Sequence, residues 1–271
     1  MADESMQDVD VYAESEWKPR FIEFAVEDGV ARITLNRPPA NVLSIDVMSD
    51  VASAIDSIEF EREVKLVVIA AKGKYFSAGF ELTDHLGDRG YLMVEGFRRI
   101  FEGLARIDKP SLALVAGPAL GAGSLLAASC DMTLASVSSK FGHPEIKAGV
   151  FNTVAMAVLP RLVGRKRAFE LVLSGASIAA GEAERIGLVT RAVPDARLGA
   201  EAEVLIQRCR DSSGVALQCI RRALVDGLDH PFAEAVRRAE DVYLNQLMLS
   251  EDAREGLQAV MEKRKPTWKD R

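Results

Sequence analysis

The hydrophobic and polar positions between about residues 20 and 195 alternate between the periods of strands and helices. Residues 30–35 carry Ile33 and Leu35 on one side and polar or charged residues between them, which predicts a half-exposed strand. A stretch with two prolines follows, and proline cannot donate to a strand ladder. From Ser44, a common helix-capping residue type, apolar positions recur at helical spacing up to residue 58. The first unit is therefore a strand, a breaker and an amphipathic helix.

Residues 131–135 predict a further strand, and residues 64–70 and 111–116 are almost continuously apolar. Such runs are typical of strands that are buried on both faces. Between them, helical patterns follow Phe80 and cover residues 92–107, and a short run of small residues at 121–129 also predicts a helix. Buried strands separated by helices predict an α/β fold with parallel strand pairing.

The pattern changes near residue 197. Residues 197–212, 214–228, 232–249 and 251–264 all have helical patterns, with no strand pattern between them. The sequence therefore predicts three parts: a flexible, acidic N-terminal tail at residues 1–18, a catalytic core at 19–196 and a helical C-terminal region at 197–271.

Composition narrows the class of protein. The chain has 271 residues, of which 48% are hydrophobic and 27% charged, with a formal net charge of −6. This balance is typical of a globular protein and argues against a nucleic-acid partner, which usually leaves a basic footprint. No apolar run approaches the roughly 18 residues that span a bilayer, so no membrane partner is expected. The three cysteines, Cys130, Cys209 and Cys219, form no CxxC pair, which favours a reducing, cytoplasmic location and no metal site.

Two glycine-flanked turns are candidates for oxyanion binding. The first is Phe76-Ser77-Ala78-Gly79-Phe80 and the second covers residues 117–123, and each lies between a predicted strand and a predicted helix. Backbone N–H groups at helix starts have no partner in the helix, and two of them that converge would hold a developing negative charge. The alternative is that both are simply tight connections, which is the commoner use of glycine.

Glu145 is the candidate acid. It follows a predicted strand, between Pro144 and the apolar Ile146. A carboxyl group in mainly apolar surroundings has a raised pKa, as a proton shuttle at neutral pH requires. The alternative is a surface glutamate. His143 and His85 have the same two interpretations, since a loop backbone easily satisfies a neutral histidine.

Taken in order, these stretches resemble the crotonase family, the enoyl-CoA hydratase/isomerase superfamily. The similarity covers the chain from about residue 20 to residue 271. Its blocks are residues 76–79, 119–123 with 130–131, 141–145, 159–164, 183–189, and 250–256 with 262–265. The resemblance implies a crotonase-like spiral of ββα units with a helical C-terminal trimerisation region, assembled as a homotrimer or a dimer of trimers. It also implies that the chain binds acyl-CoA thioesters and stabilises their enolates, with coenzyme A as part of the substrate and no other cofactor.

The resemblance also implies individual roles. Carried over by position, the backbone N–H groups of Ala78 and Ala122 would form the oxyanion hole, and Glu145 would act as acid and base. The segment from Phe76 to Phe80 would run beside the adenine, and Lys263 would reach a CoA phosphate on a neighbouring subunit; a cation there would also complement a helix C-terminus. The implied substrate- or CoA-binding residues are Phe76, Ser77, Ala78, Phe80 and Lys263.

One departure bears on the reaction. Two-acid hydratases of the family carry a second glutamate where this chain has Leu125, which cannot move a proton. We therefore predict an enoyl-CoA hydratase-type lyase, with two alternatives: a single-glutamate enoyl-CoA isomerase, and a CoA-ester binding protein that has lost the chemistry. Asp84 or His85, in the segment that overlies the acyl pocket in this family, could replace the missing acid.

A narrower similarity concerns the acyl group. Residues 141–151, the pair Asp84-His85 and residues 243–248 are similar to hydratases of cyclic dienoyl-CoA esters. It adds a cyclic dienoyl-CoA to the candidate substrates.

Overall fold

The computed structural model describes residues 17–271. Within them the strands are β1 Ile22–Glu27, β2 Val30–Leu35, β3 Leu66–Ala71, β4 Ser111–Val115, β5 Ala119–Leu120, β6 Met132–Ser136, β7 Lys140–Gly142, β8 Ser177–Ala179 and β9 Arg191–Val193. The α-helices are α1 Ile45–Ser57, α2 Arg89–Arg106, α3 Ala122–Ala128, α4 Thr153–Ser174, α5 Ala180–Arg185, α6 Leu198–Arg210, α7 Gly214–Gly227, α8 Phe232–Asn245 and α9 Glu251–Glu262. Short 3₁₀ helices cover Leu82–His85, Pro144–Ala148, Asp195–Arg197 and Leu247–Leu249. The predicted flexible tail lies outside the described residues except for residues 17 and 18, where the Trp17 ring contacts Phe24.

A six-stranded sheet in the order β1-β2-β3-β4-β6-β9 forms the centre of the fold. Only β1 pairs antiparallel with its neighbour, and the other pairs are parallel. The prediction of an α/β fold with parallel pairing is confirmed. The hairpin between β1 and β2 was not predicted; its turn is Asp28-Gly29, and both residues have positive φ, as a tight two-residue hairpin turn requires.

Helices α1 and α2 cover one face of this sheet. Ser44 caps α1 as predicted, because its hydroxyl accepts a hydrogen bond from the Val47 N–H at 3.4 Å. The two helices pack closely at Gly103, where an added Cβ would lie 2.9 Å from a methyl group of Ile55. The main core lies between these helices and the sheet, and α6 packs against the opposite face with Ile206 buried there.

A second, three-stranded sheet in the order β5-β7-β8 positions the candidate site. Strands β5 and β7 are parallel, with Leu120 opposite Gly142. Parallel strands have their carboxyl ends at the same edge, so α3 and the 3₁₀ helix Pro144–Ala148 begin side by side. This sheet was not predicted, because its strands are only two or three residues long.

Helices α6 to α9 form the C-terminal region, and no strand follows β9 among the described residues. The four predicted helices are confirmed, although the third ends earlier and continues as a separate 3₁₀ turn. Arg221 of α7 joins this region to the core: its buried guanidinium donates to the carbonyls of Ile107 and Leu104 at 2.5 and 2.6 Å and to Asp131 at 2.9 Å. None of the helices in residues 17–271 is long and apolar enough to cross a bilayer.

Candidate active site

The first glycine-flanked turn runs as an extended segment beside residues 118–120. The Phe76 N–H donates to the Pro118 carbonyl at 3.0 Å, and the Leu120 N–H donates to the Ser77 carbonyl at 2.9 Å. Both Phe76 and Ser77 are wholly buried. The contact is close, since a Cβ added to Gly123 would lie 2.5 Å from the Ser77 Cβ. The two turns singled out in the sequence therefore lie side by side.

The other edge of the first turn pairs with Leu43. The Leu43 N–H donates to the Gly79 carbonyl at 2.8 Å, and the Glu81 N–H donates to the Leu43 carbonyl at 3.2 Å. In this parallel pairing the N–H of the intervening residue, Phe80, points away from Leu43. Among the described residues it has no acceptor. Its peptide lies beside the second turn, because a Cβ added to Gly79 would be 3.8 Å from the Ala122 nitrogen.

The second turn presents the N–H of Ala122. Gly121 has φ 53° and ψ −125°, a conformation that favours glycine, and its N–H donates to the Gly142 carbonyl at 2.8 Å. Ala122 is the first residue of α3, and the Leu125 N–H begins the helix ladder by donating to Gly121 at 3.2 Å. The Ala122 N–H is one of the helix-start donors and has no acceptor among the described residues.

Ala78 is the residue that the resemblance implies as the first oxyanion donor. Its N–H donates to the Ala40 carbonyl at 2.9 Å, so this donor is already used within the fold. The contact counts against Ala78 as an oxyanion donor, because an N–H that already donates to a carbonyl binds a second acceptor only weakly. Beside this turn, Phe80 and Ala122 each present an N–H that has no acceptor among the described residues.

Glu145 lies at this same point. It belongs to the 3₁₀ helix that follows β7, and a Cβ added to Gly121 would lie 2.7 Å from its Oε1 atom. That oxygen is buried and has no hydrogen-bond partner among the described residues. Burial raises the pKa of the Glu145 carboxyl, as the sequence predicts for an acid in mainly apolar surroundings. A carboxyl group with a raised pKa and an unpartnered oxygen is well suited to exchange protons.

His143, two residues before Glu145, is a buried polar side chain. It is 2% exposed, and neither ring nitrogen has a partner among the described residues. Burial lowers the pKa of its imidazole to about 4, so the ring is neutral at physiological pH.

Replacing His143 with leucine is expected to change how stability depends on pH. The unfolded histidine takes up a proton below about pH 6.5, whereas the folded one stays neutral down to about pH 4, so acidification favours the unfolded state in this window. Relative to H143L, the free energy of unfolding of the wild type should fall by about 2 kcal/mol between pH 7 and pH 5. Urea unfolding at both pH values measures this difference. A difference that stays constant would contradict a buried, neutral His143.

The position of the missing second glutamate is apolar. Leu125 is wholly buried in α3, one turn after Ala122. The neighbouring Ser124 hydroxyl is also buried and has no partner among the described residues. No second carboxylate is therefore contributed from this helix.

Asp84 has a structural role in the fold. It is wholly buried, its Oδ2 atom accepts the Ile45 N–H at the start of α1 at 2.9 Å, and its Oδ1 atom accepts from Arg89 at 2.9 Å. Both oxygens are occupied, which counts against Asp84 as the replacement acid. His85 remains a candidate: it is half-buried, and its ring meets the Phe80 ring edge-on at a centroid distance of 5.7 Å.

Lys263 lies at the far end of α9. Its backbone has φ 56°, in the left-handed region, and its side chain is exposed. It makes no ion pair within residues 17–271, whereas its neighbour Arg264 is paired with Glu255 and Glu262. The ammonium is therefore accessible to an anion from outside this chain.

Comparison with known proteins identifies the family of this chain. Residues 25–271 match the model of the family described as enoyl-CoA hydratase/isomerase. The chain is 36% identical over 248 residues to a Rhizobium meliloti protein named "Probable enoyl-CoA hydratase", covering 89% of this chain and 95% of that protein.

Solved structures show the same likeness. An enoyl-CoA hydratase from Bacillus anthracis superimposes with a TM-score of 0.88 at 28% identity, covering 93% of this chain and all of that one. Human enoyl coenzyme A hydratase domain-containing protein 3 has the same TM-score and identity, with 92% of this chain and all of that chain covered. The chain belongs to the enoyl-CoA hydratase/isomerase family and has the crotonase fold.

Proposed function

We propose that the protein adds water across the double bond of a 2-enoyl-CoA thioester. The N–H groups of Phe80 and Ala122 would hold the thioester oxygen, and Glu145 would move the protons. The observation that carries the proposal is the position of the Glu145 carboxylate. Its Oε1 atom has no partner among the described residues and lies against the same turn that presents the Ala122 N–H. Phe80 replaces Ala78 as the first donor because the Ala78 N–H is bonded to Ala40.

The proposed reaction needs only the one acid. A water oxygen forms a bond to C3 while Glu145 accepts a proton from that water, and the electron pair of the double bond moves to the thioester as an enolate. The two N–H groups stabilise the negative charge that develops on the oxygen. Glu145 then returns the proton to C2, which completes the addition of one water. A carboxyl group whose pKa is raised by burial gives up this proton less readily to solvent and holds it for C2.

Double-bond isomerisation is the second candidate function, and Leu125 favours it. With an apolar side chain at that position, helix α3 places no second carboxylate beside Glu145. Glu145 would take a proton from C2 of a 3-enoyl-CoA and return it to C4, through the same enolate. No water enters the product in this case.

Parallel assays on a 2-enoyl-CoA and a 3-enoyl-CoA distinguish the two reactions. A hydratase converts the 2-enoyl ester to a 3-hydroxyacyl-CoA, whereas an isomerase converts the 3-enoyl ester to the conjugated ester with no hydroxylated product. Including a cyclic dienoyl-CoA tests the narrower substrate class. Tight binding of all these esters without turnover would instead support a CoA-ester binding protein.

We further propose assembly as a homotrimer or a dimer of trimers in the cytoplasm. Large apolar side chains of the C-terminal region, Leu228, Phe232, Val260 and Met261, are each more than three-quarters exposed in the single chain. Leu228 with Phe232, and Val260 with Met261, are close together in sequence, and exposed apolar side chains that form a contiguous patch mark association surfaces. The three cysteines are buried and unpaired, which is compatible with a reducing compartment. Light scattering of the purified protein should give three or six times the mass of one chain.

A further inference from the structure

The chain reverses direction at the end of α9. Lys263 adopts the left-handed conformation, and the Arg264 N–H donates to the Ala259 carbonyl at 3.0 Å. The Arg264 guanidinium bonds both oxygens of Glu255 at 2.6 and 2.9 Å. The Thr267 N–H also donates to Glu255, at 2.8 Å. Residues 267–271, here called the C-terminal clasp, therefore run back along α9 toward its beginning.

The clasp is fastened at the start of α9 by a buried carboxylate. Asp252 is 1% exposed, and its Oδ1 atom accepts the Lys269 N–H at 2.8 Å. Its Oδ2 atom accepts from the Ser213 hydroxyl at 2.6 Å and from the Asp270 N–H at 3.2 Å. In return, the Arg271 carbonyl accepts two N–H groups of the first turn of α9, at 2.9 and 3.3 Å. Three separate segments thus meet at Asp252.

The clasp is also fastened to the core. The Asp270 carboxylate accepts the Gly214 N–H at 2.7 Å and pairs at 3.1 Å with Lys65, the residue that precedes β3. The Trp268 indole N–H donates to the Asp211 carbonyl at 2.7 Å, and its ring packs against Gly256 of α9. Helix α9 is therefore held relative to the central sheet at its beginning, and the turn at its end is held by Arg264.

We propose that Asp252 and Asp270 are positioning residues for coenzyme A binding, because they set the place of α9 and so of Lys263 relative to the core. The proposal rests on the proposed function, and on the contact with a CoA phosphate of a neighbouring subunit that the family resemblance implies for Lys263. When a lysine lies on a loose segment, ligand binding must order the backbone, and this lowers the affinity. When the helix is already held in place by the clasp, binding does not include that cost. The clasp therefore acts on the nucleotide end of the substrate and leaves the acyl end unaffected.

The test compares two substrates that differ only at the nucleotide end. They are a 2-enoyl-CoA and the same 2-enoyl group on pantetheine, which lacks the nucleotide and its phosphates. In D270A we expect KM for the CoA ester to rise about ten-fold, with kcat within about two-fold, while both constants for the pantetheine ester stay unchanged. K263A should likewise raise KM for the CoA ester and leave both constants for the pantetheine ester unchanged. K269A is the matched control in the clasp and should behave as the wild type, since within the described residues its ammonium pairs with the half-exposed carboxylate of Glu251.

Other outcomes are decisive as well. D270N retains an oxygen for the Gly214 N–H and should recover most of the affinity for the CoA ester. If D270A changes the kinetic constants of both esters alike, or of neither, the positioning role is wrong. If D270A does not fold, D270N and W268A are tested instead, by the same comparison of KM for the CoA ester with KM for the pantetheine ester. If the wild type turns over neither ester, the proposed function fails. The clasp is then judged by calorimetric binding of free CoA, which D270A should weaken and K269A should not.

Discussion

Replacing Glu145 with glutamine is expected to lower kcat about 100- to 10,000-fold, the usual contribution of a positioned acid or base. Glutamine has nearly the same shape as glutamate but cannot accept and return a proton. The Oε1 atom of Glu145 has no partner in the described fold, so the substitution breaks no hydrogen bond of that oxygen. It also removes a carboxyl group that burial holds at a raised pKa, so the stability of the fold should not fall.

Steady-state kinetics together with the dissociation constant of a CoA ester measures this effect. We expect binding of the ester to survive, because Glu145 is not among the groups proposed to hold the thioester oxygen or the nucleotide. E61Q, at an exposed glutamate before β3, serves as the control and should match the wild type. Turnover of E145Q within a few-fold of the wild type would mean that another group moves the protons.

Replacing Ala122 with proline is expected to lower kcat about 100- to 1,000-fold, the range for loss of one oxyanion donor. Proline removes the N–H and leaves the helix intact, since it is well tolerated at the first helical position. The residue before a proline favours an extended conformation. Gly121, at φ 53° and ψ −125°, has the mirror image of that conformation, and a glycine can keep it when proline follows. The Ala122 N–H has no acceptor within the described fold, so no internal hydrogen bond is lost.

A122G is the matched control, because it removes the side chain and keeps the N–H. It should retain most of the wild-type kcat, and thermal unfolding should show that A122P is folded. Equal losses in A122G and A122P would assign the effect to packing at this buried position. Full activity in folded A122P would exclude the Ala122 N–H as a donor.

Much of the central fold could be predicted from the sequence because its elements have strong local signals. The alternation at Ile33 and Leu35, the cap at Ser44 and the apolar run that contains Ile69 all lie in the elements predicted for them. Strand β1 was missed although its hairpin turn Asp28-Gly29 is a recognisable signal. The second sheet was missed because two- and three-residue strands carry no periodicity, and only their pairing defines them.

The segments that form the candidate site could be predicted from the sequence, but the individual N–H groups that point into it could not. The turns around Gly79 and Gly121 and the acid Glu145 do lie together, as the glycine pattern and the family resemblance suggested. The direction of each N–H depends on pairing with residues far away in sequence. For this reason Ala78, bonded to Ala40, could not be told apart from Phe80.

Two other residues show the same limit. Asp84 has a sequence context suited to an acid beside a pocket, but its carboxylate caps α1, which lies about forty residues earlier. His143 is buried, and both of its ring nitrogens lack a partner among the described residues. Its place between a strand and Glu145 was the signal in the sequence, and that pattern predicts neither property. Contacts between distant segments decided both cases.

The most direct test of the proposed hydration is to follow the oxygen of water into the product. The wild-type protein is incubated with a 2-enoyl-CoA in water enriched in heavy oxygen, and the products are identified by mass spectrometry. We predict a 3-hydroxyacyl-CoA with one labelled oxygen on C3, formed by the wild type and not by E145Q. A parallel incubation uses a 3-enoyl-CoA. If the 3-enoyl-CoA is converted without uptake of heavy oxygen, and the 2-enoyl-CoA gives no labelled product, hydration is contradicted and the site is assigned to isomerisation.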